Sequence, residues 1–136
     1  MNIHIEKFVC TLKESVNSGN LDPLTELVSE NVVLISPRHE QPFHGKDYAK
    51  LILQALCSIM DDFNYQRSWI HDDEVALEFK GTLDGKLVQG IDVFSLDENG
   101  MFVSIDIFVK MNSGFKELIK CEDNYIRDVL ARNKAS

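Results

Sequence analysis

Two glycine-containing dipeptides, Asp84-Gly85 and Asn99-Gly100, constrain the fold of this chain more than any other feature. Both dipeptides favour the tight turns that join neighbouring antiparallel strands. The segments around them alternate apolar and polar side chains, which is typical of strands with one buried face. The sequence therefore predicts a meander of antiparallel strands over about residues 74–82, 87–96 and 101–110.

The segments outside this meander are mainly helical in pattern. Apolar residues recur at the spacing of one helix face, and turn formers separate the segments. An α+β fold follows, because helices come first and the strands follow, so that one sheet curls over the helices. We expect one helix over about 5–16, a short one that begins at Asp22, and a third over 46–60. Strands are expected over 31–37 and 65–70. A C-terminal helix is expected over about 113–133, with an interruption near 121–124.

Charge and composition exclude several functional classes. The chain has 136 residues, a formal net charge of −8 and three cysteines, an odd number without a CxxC pair. Nucleic acids and anionic membranes are disfavoured as partners, since both attract clustered lysine and arginine. There is no apolar run long enough to cross a bilayer and no segment like a secretory signal. We expect a cytoplasmic protein with reduced thiols.

The strand over 87–96 carries an aspartate among apolar residues. Because side chains alternate along a strand, Asp92 shares its face with Val88 and Phe94. An ionised carboxylate is costly in apolar surroundings, so Asp92 must find partners, take up a proton or face a cavity. Two interpretations stay open: a structural acid satisfied by neighbouring donors, and a pocket acid that contacts a ligand.

The order of elements and three stretches of sequence resemble the nuclear transport factor 2-like superfamily, which includes ketosteroid isomerases and SnoaL-like polyketide cyclases. The stretches are NSGNLDPLTELVSENVVLISP, FHGKD and GIDVFSLDENGMFVSIDIFVK, and the resemblance covers about residues 5–112. It implies a single domain over 1–136, in which a cone-shaped, curved antiparallel sheet packs on the N-terminal helices and the C-terminal helix is an extension.

The resemblance also implies a pocket at the open end of the cone. Ketosteroid isomerases carry an aspartate in an IDxF motif, kept neutral so that it can donate a hydrogen bond, and Asp92 matches it. Their general base precedes the proline that ends the first strand, where this chain has Ser36. Their first-helix tyrosine falls near Leu12. Only one of these three catalytic groups is therefore matched.

We expect Asp92 to be the catalytic acid or hydrogen-bond donor. SnoaL-like cyclases have their acid in the last strand, at the position of Ile107 here. The neighbouring Asp106 is expected on the outer face, unless a bulge exchanges the faces of that strand. The residues expected to contact a ligand are Leu12, Ser36, His44, Trp69, Leu77, Phe79, Phe94, Ile105, Ile107 and Val109.

Two histidines, His39 and His44, lie in the loop before the third helix. Solvated side chains are the default for such histidines, and an acid or base at the pocket mouth is the alternative. We expect no metal, because Glu40 and Asp47 are the only additional ligands nearby. We expect no cofactor either, since phosphate-binding loops and zinc spacings are absent. The aromatic residues Tyr48, Phe63 and Trp69 are core or rim residues, or else stack on a ligand.

Two functions are consistent with the sequence. The first is a pocket that binds a small apolar molecule, cyclic molecules included, with or without isomerase- or cyclase-type proton transfer at Asp92. The second is a non-catalytic ligand-binding or association module, in which the outer face of the sheet forms a homodimer. Apolar residues expected on that face support the second function: Ile91, Val93, Phe102 and Phe108.

Overall fold

The structure is a computed structural model, and it describes residues 2–135. Within this range the helices are α1 (Ile3–Ser18), α2 (Asp22–Thr25), α3 (Lys46–Ile59) and α4 (Ser113–Ala135). The strands are β1 (Val28–Ile35), β2 (Phe43–His44), β3 (Asp61–His71), β4 (Glu74–Leu83), β5 (Lys86–Leu96) and β6 (Phe102–Val109). They form one curved sheet in the order β2-β1-β6-β5-β4-β3.

The predicted meander forms the centre of this sheet. Strands β4 and β5 pair without interruption from Glu74↔Ser95 to Leu83↔Lys86. Asp84 and Gly85 turn between them with φ angles of 51° and 76°, the left-handed values that a tight hairpin requires. The α+β class and the C-terminal helix are confirmed. The sheet is not purely antiparallel as predicted, however. Strands β1 and β6 pair in parallel, whereas all the other strand pairs of the sheet are antiparallel.

A bulge in β6 changes one predicted orientation. Ser104 pairs with Ser95, but the next pair joins Phe102 to Leu96, so that β6 has one extra residue there. The extra residue reverses the alternation of faces and turns Phe102 inward, where it is fully buried. The prediction that Phe102 lies on the outer face is therefore wrong, whereas Phe108, beyond the bulge, is 54% exposed.

Helix α1 packs against the inner face of the sheet. Asn2 caps its first turn by accepting hydrogen bonds from the backbone N–H groups of His4 and Ile5. The ring of Phe8 lies 5.0 Å from that of Phe94 and 5.7 Å from that of Phe102. These aromatic rings form the centre of the main core and fix the helix across β5 and β6.

Helix α4 runs without the predicted interruption near residues 121–124. Asn112 accepts a hydrogen bond from the backbone N–H of Phe115 and starts the helix. Gly114 approaches the carbonyl oxygen of Leu87 so closely that a side chain could not fit. The helix packs on α3 and β5, and Leu118 joins a second, smaller core cluster with Phe79. No helix in residues 2–135 is long and apolar enough to cross a membrane.

Candidate functional site

A recess opens between the inner face of the sheet and helices α3 and α4. The space inside it, counting the open mouth, is about 580 Å³. Water-sized molecules could occupy only a small part of this space in the present conformation, so a larger ligand requires lining side chains to move. Both core clusters contribute to its apolar walls, which include Leu34, Ile52, Leu56, Phe79, Ile107, Val109, Phe115, Leu118 and Ile119.

Asp92 lies in this recess, in the middle of β5. It pairs across the sheet with Leu77 on one side and Ile107 on the other, and it is 3% exposed. Asp92 accepts a hydrogen bond from Tyr65, whose Oη donates to Oδ2 over 3.0 Å. Burial raises the pKa of Asp92 to about 7, although the hydrogen bond from Tyr65 favours the charged form.

Tyr65 is the polar partner that the sequence comparison with ketosteroid isomerases did not locate. It belongs to β3 and pairs with Phe79, so its side chain reaches Asp92 from across the inner face. Burial and the neighbouring Asp92 raise the pKa of its hydroxyl well above the ordinary value. The hydroxyl therefore stays protonated and remains a donor to Asp92.

A second polar cluster lies at the more exposed side of the recess. Arg38, in the loop after β1, donates to Oε1 of Glu122 over 2.8 Å and to Oδ1 of Asp123 over 2.6 Å. Glu122 is 8% exposed, and burial is the main cause that raises its pKa while Arg38 opposes the shift. The ion pairs connect α4 to the loop and hold the helix over the recess.

Aromatic side chains flank this cluster. Phe43 stacks on Tyr48 with ring centres 4.5 Å apart and meets His39 edge-on at 4.6 Å. Tyr48 and His39 both line the recess. Burial, followed by the charge of Glu122, raises the pKa of the Tyr48 hydroxyl. A ligand in the recess would therefore meet an uncharged phenol here.

The structure brings five of the residues predicted for the site into the recess and places the others elsewhere. Those that line it are Ser36, Phe79, Asp92, Ile107 and Val109. Four others are at most 2% exposed and belong to the main core, which α1 forms with the sheet: Leu12, Leu77, Phe94 and Ile105.

His44 and Trp69 do not line the recess. His44 is exposed in the short edge strand β2. Trp69 is 47% exposed in β3, where the guanidinium of Arg67 lies 5.2 Å from the centre of its ring. Both residues lie in edge strands, whose outer side has no neighbouring strand to cover the side chains.

The remaining titratable residues named from the sequence occupy other positions. Asp106 pairs with Val93, on the face opposite to the Asp92–Ile107 pair, and it does not line the recess. Between residues 2 and 135, no three His, Cys, Asp or Glu side chains are grouped as metal ligands.

Sequence reasoning missed the contribution of α4. Phe115, Leu118, Ile119 and Glu122 follow the spacing of one helix face and all line the recess. Glu122 is an acidic residue on an otherwise apolar helix face, which is the same kind of signal that singled out Asp92 in β5. Arg38 carried no comparable signal, because a loop has no periodicity that orients its side chains.

Comparison with known proteins agrees with this architecture. A family model described as a SnoaL-like domain matches residues 11–105. No curated protein sequence matches the chain significantly.

Several solved structures share the fold. A steroid delta-isomerase from Pseudomonas aeruginosa superimposes with a TM-score of 0.89 at 22% identity, covering 96% of this chain and 97% of that one. A protein with a cystatin-like fold from Silicibacter pomeroyi DSS-3 gives 0.80 at 19% identity, covering 88% and 85%. A nuclear transport factor 2-like protein from Cytophaga hutchinsonii gives 0.61 at 16% identity, covering 81% and 93%. At these identities the similarity shows the fold alone.

Proposed function

Because this chain belongs to the SnoaL-like domain family, whose fold is nuclear transport factor 2-like, we propose that its recess binds a small apolar molecule, cyclic molecules included, through a hydrogen bond with Asp92. The observation that carries the proposal is the position of this carboxyl group. It is buried, it faces an apolar recess, and its Oδ2 accepts from Tyr65. Among the described contacts its Oδ1 has no protein partner and is free for a ligand.

The ionisation of Asp92 fits this role. With a pKa of about 7, a large share of the molecules carry a neutral Asp92 at physiological pH. The neutral acid donates a hydrogen bond, and a carbonyl oxygen is the ligand group that accepts it best. A hydrogen bond of this kind strengthens when negative charge develops on that oxygen. The same contact would therefore serve binding and an isomerase- or cyclase-type reaction.

For catalysis we propose only that Asp92 acts as the acid or hydrogen-bond donor, without a general base at Ser36. Ser36 lines the recess at the position where ketosteroid isomerases have their general base. A serine hydroxyl does not take up protons near neutral pH, so it cannot replace a carboxylate base. The structural similarity to a steroid delta-isomerase supports the choice of polycyclic ketones as the first candidate ligands.

A thermal-shift screen with steroids, polycyclic aromatic ketones and short hydroxy acids tests the proposal. A ligand present at 100 times its dissociation constant should add about 2.7 kcal/mol to the free energy of unfolding. We expect polycyclic ketones to raise the melting temperature of the wild type, and short hydroxy acids to leave it unchanged. A panel without any stabilising apolar compound would contradict the proposal.

The second candidate function is homodimeric association through the outer face of the sheet. Trp69 and Phe108 are 47% and 54% exposed there, and Ile91 and Val93 are half-buried between them. Exposed apolar side chains on one continuous face are typical of protein contact surfaces. Sedimentation equilibrium at micromolar concentration should give a dimer, and a monomer would contradict this candidate function.

A further inference from the structure

The recess has a second polar end, formed by Arg38, Tyr48 and Glu122, which we call the mouth cluster. We propose that the mouth cluster binds a hydrogen-bond donor of the ligand, a hydroxyl or amine, so that the recess selects apolar molecules with an acceptor at one end and a donor at the other. Anionic molecules are excluded. This inference rests on the proposed function, because it concerns the ligand of the same recess.

The free acceptor in the mouth cluster is Oε2 of Glu122. The residue is more than nine-tenths buried, and its other oxygen, Oε1, accepts from Arg38. Across residues 2–135 no protein donor reaches Oε2. Oε2 is not itself sealed off from solvent, so it can accept a hydrogen bond from a donor that enters the recess. The hydroxyl of Tyr48 is in the same part of the recess and likewise has no hydrogen bond within the described chain.

The charges around the mouth cluster favour a neutral or amine donor over an anion. Arg38 is the cation of the recess lining, and both of its terminal nitrogens already bind carboxylates, those of Glu122 and Asp123. Two acids therefore surround one guanidinium. An incoming carboxylate or phosphate would have to displace one of them or remain unpaired beside them, and either costs free energy.

The mouth cluster and Asp92 line the recess from different elements of the fold. Asp92 belongs to β5, whereas the mouth cluster comes from the loop after β1, from α3 and from α4. Arg38 and Glu122 are not among the causes that shift the pKa of Asp92. Apolar side chains such as Ile52, Leu118 and Ile119 line the recess along with both polar ends. A ligand that contacts both ends must therefore carry two polar groups on an apolar frame.

Four probes that differ in one substituent test the inference. They are 2-acetylnaphthalene and its 6-hydroxy, 6-amino and 6-carboxy derivatives, each with a ketone for Asp92. Isothermal titration at pH 7 should show the hydroxyl and amino probes binding about tenfold more tightly than the parent, or about 1.4 kcal/mol. The carboxylate probe should bind at least tenfold more weakly than the parent.

Two variants test whether Glu122 causes the difference in affinity among the probes. Glu122→Gln removes the negative charge and should reduce the discrimination against the carboxylate probe to less than threefold. Asp123→Asn is the matched control, because Asp123 also pairs with Arg38 but does not line the recess. That variant keeps Oε2 of Glu122 and should therefore keep the tighter binding of the hydroxyl and amino probes relative to the parent. Circular dichroism of both variants checks that they fold.

The outcomes separate this inference from the proposed function. Equal affinities for all four probes would overturn the mouth cluster as a selecting group and leave the binding recess supported. A carboxylate probe that binds best would also overturn it. If none of the four probes binds the wild type, the proposed function and this inference are both contradicted.

Discussion

The hydroxyl of Tyr65 lies 3.0 Å from Oδ2 of Asp92 and joins the edge strand β3 to the central strand β5 across the inner face of the sheet. This contact determines how far the pKa of Asp92 can rise. Burial stabilises the neutral acid, while the hydrogen bond from Tyr65 stabilises the carboxylate. Burial has the larger effect, and the result is an acid that titrates near neutral pH.

Replacing the tyrosine should move that titration upward. In Tyr65→Phe the hydrogen bond to the carboxylate is lost, and the pKa of Asp92 should rise above the wild-type value of about 7. Carbon-detected NMR of the side-chain carboxyl group measures the pKa directly. An unchanged or lower pKa in the variant would show that Tyr65 does not act on Asp92 in this way.

Replacing Asp92 itself should stabilise the protein at high pH. The carboxyl group ionises near 3.8 in the unfolded chain and near 7 in the folded one, so the wild type loses stability as the pH rises through this interval. Asp92→Asn avoids the buried charge. At pH 8 its free energy of unfolding should exceed that of the wild type by about 2–4 kcal/mol. At pH 4.5 the gain should shrink to about 1 kcal/mol or less.

Urea unfolding at both pH values gives these differences. Asp106→Asn is the control, because Asp106 lies on the opposite face of the same sheet. A variant at position 92 that is less stable than the wild type at pH 8 would indicate that the carboxylate is an essential structural group. The same stability gain at pH 4.5 and pH 8 would contradict the raised pKa.

Breaking the ion pairs of Arg38 should loosen α4. Arg38→Met leaves the buried carboxylate of Glu122 without its partner, and the free energy of unfolding should fall by about 1–3 kcal/mol. Hydrogen exchange should accelerate first in α4, near residues 115–123. The control Lys46→Met removes a surface pair with Glu30, which is 84% exposed, and should cost less than about 1 kcal/mol. Equal losses in both variants would contradict the role given to Arg38.

Introducing a charge on the outer face of the sheet should dissociate the proposed homodimer into monomers. Phe108→Glu places a carboxylate on the proposed contact surface, where it would be buried without a partner. Sedimentation equilibrium should give a dimer for the wild type and a monomer for the variant. The control is Met111→Glu, which alters a residue that is 88% exposed and lies beyond β6. A variant at position 108 with unchanged mass would rule out this face as the interface.

Alternation within strands could be read from the sequence, and it identified much of the sheet correctly. Val75, Leu77 and Phe79 occupy alternate positions of β4, and all three are buried. The same rule located Asp92 on the inner face. It failed at Phe102, because the bulge between Phe102 and Ser104 adds one residue and local sequence does not show where a bulge falls.

Contacts between distant segments could not be predicted in this way. Arg38 and Glu122 are 84 residues apart, and their pairing depends on where α4 lies over the sheet. Leu12 is predicted in the recess from its position near the first-helix tyrosine of ketosteroid isomerases, and Phe94 from its place on the same strand face as Asp92. An inward side chain can belong either to a solid core or to a cavity wall, and the packing of all the helices decides between them.

The pH dependence of ligand binding tests the role of Asp92 most directly. Isothermal titration of the wild type with 2-acetylnaphthalene from pH 5.5 to 8.5 measures whether the neutral acid is the binding form. We predict a constant affinity well below pH 7 and a decline that approaches tenfold per pH unit above it, as Asp92 loses its proton. Affinity that stays constant over the whole range, or no binding at any pH, would contradict the account.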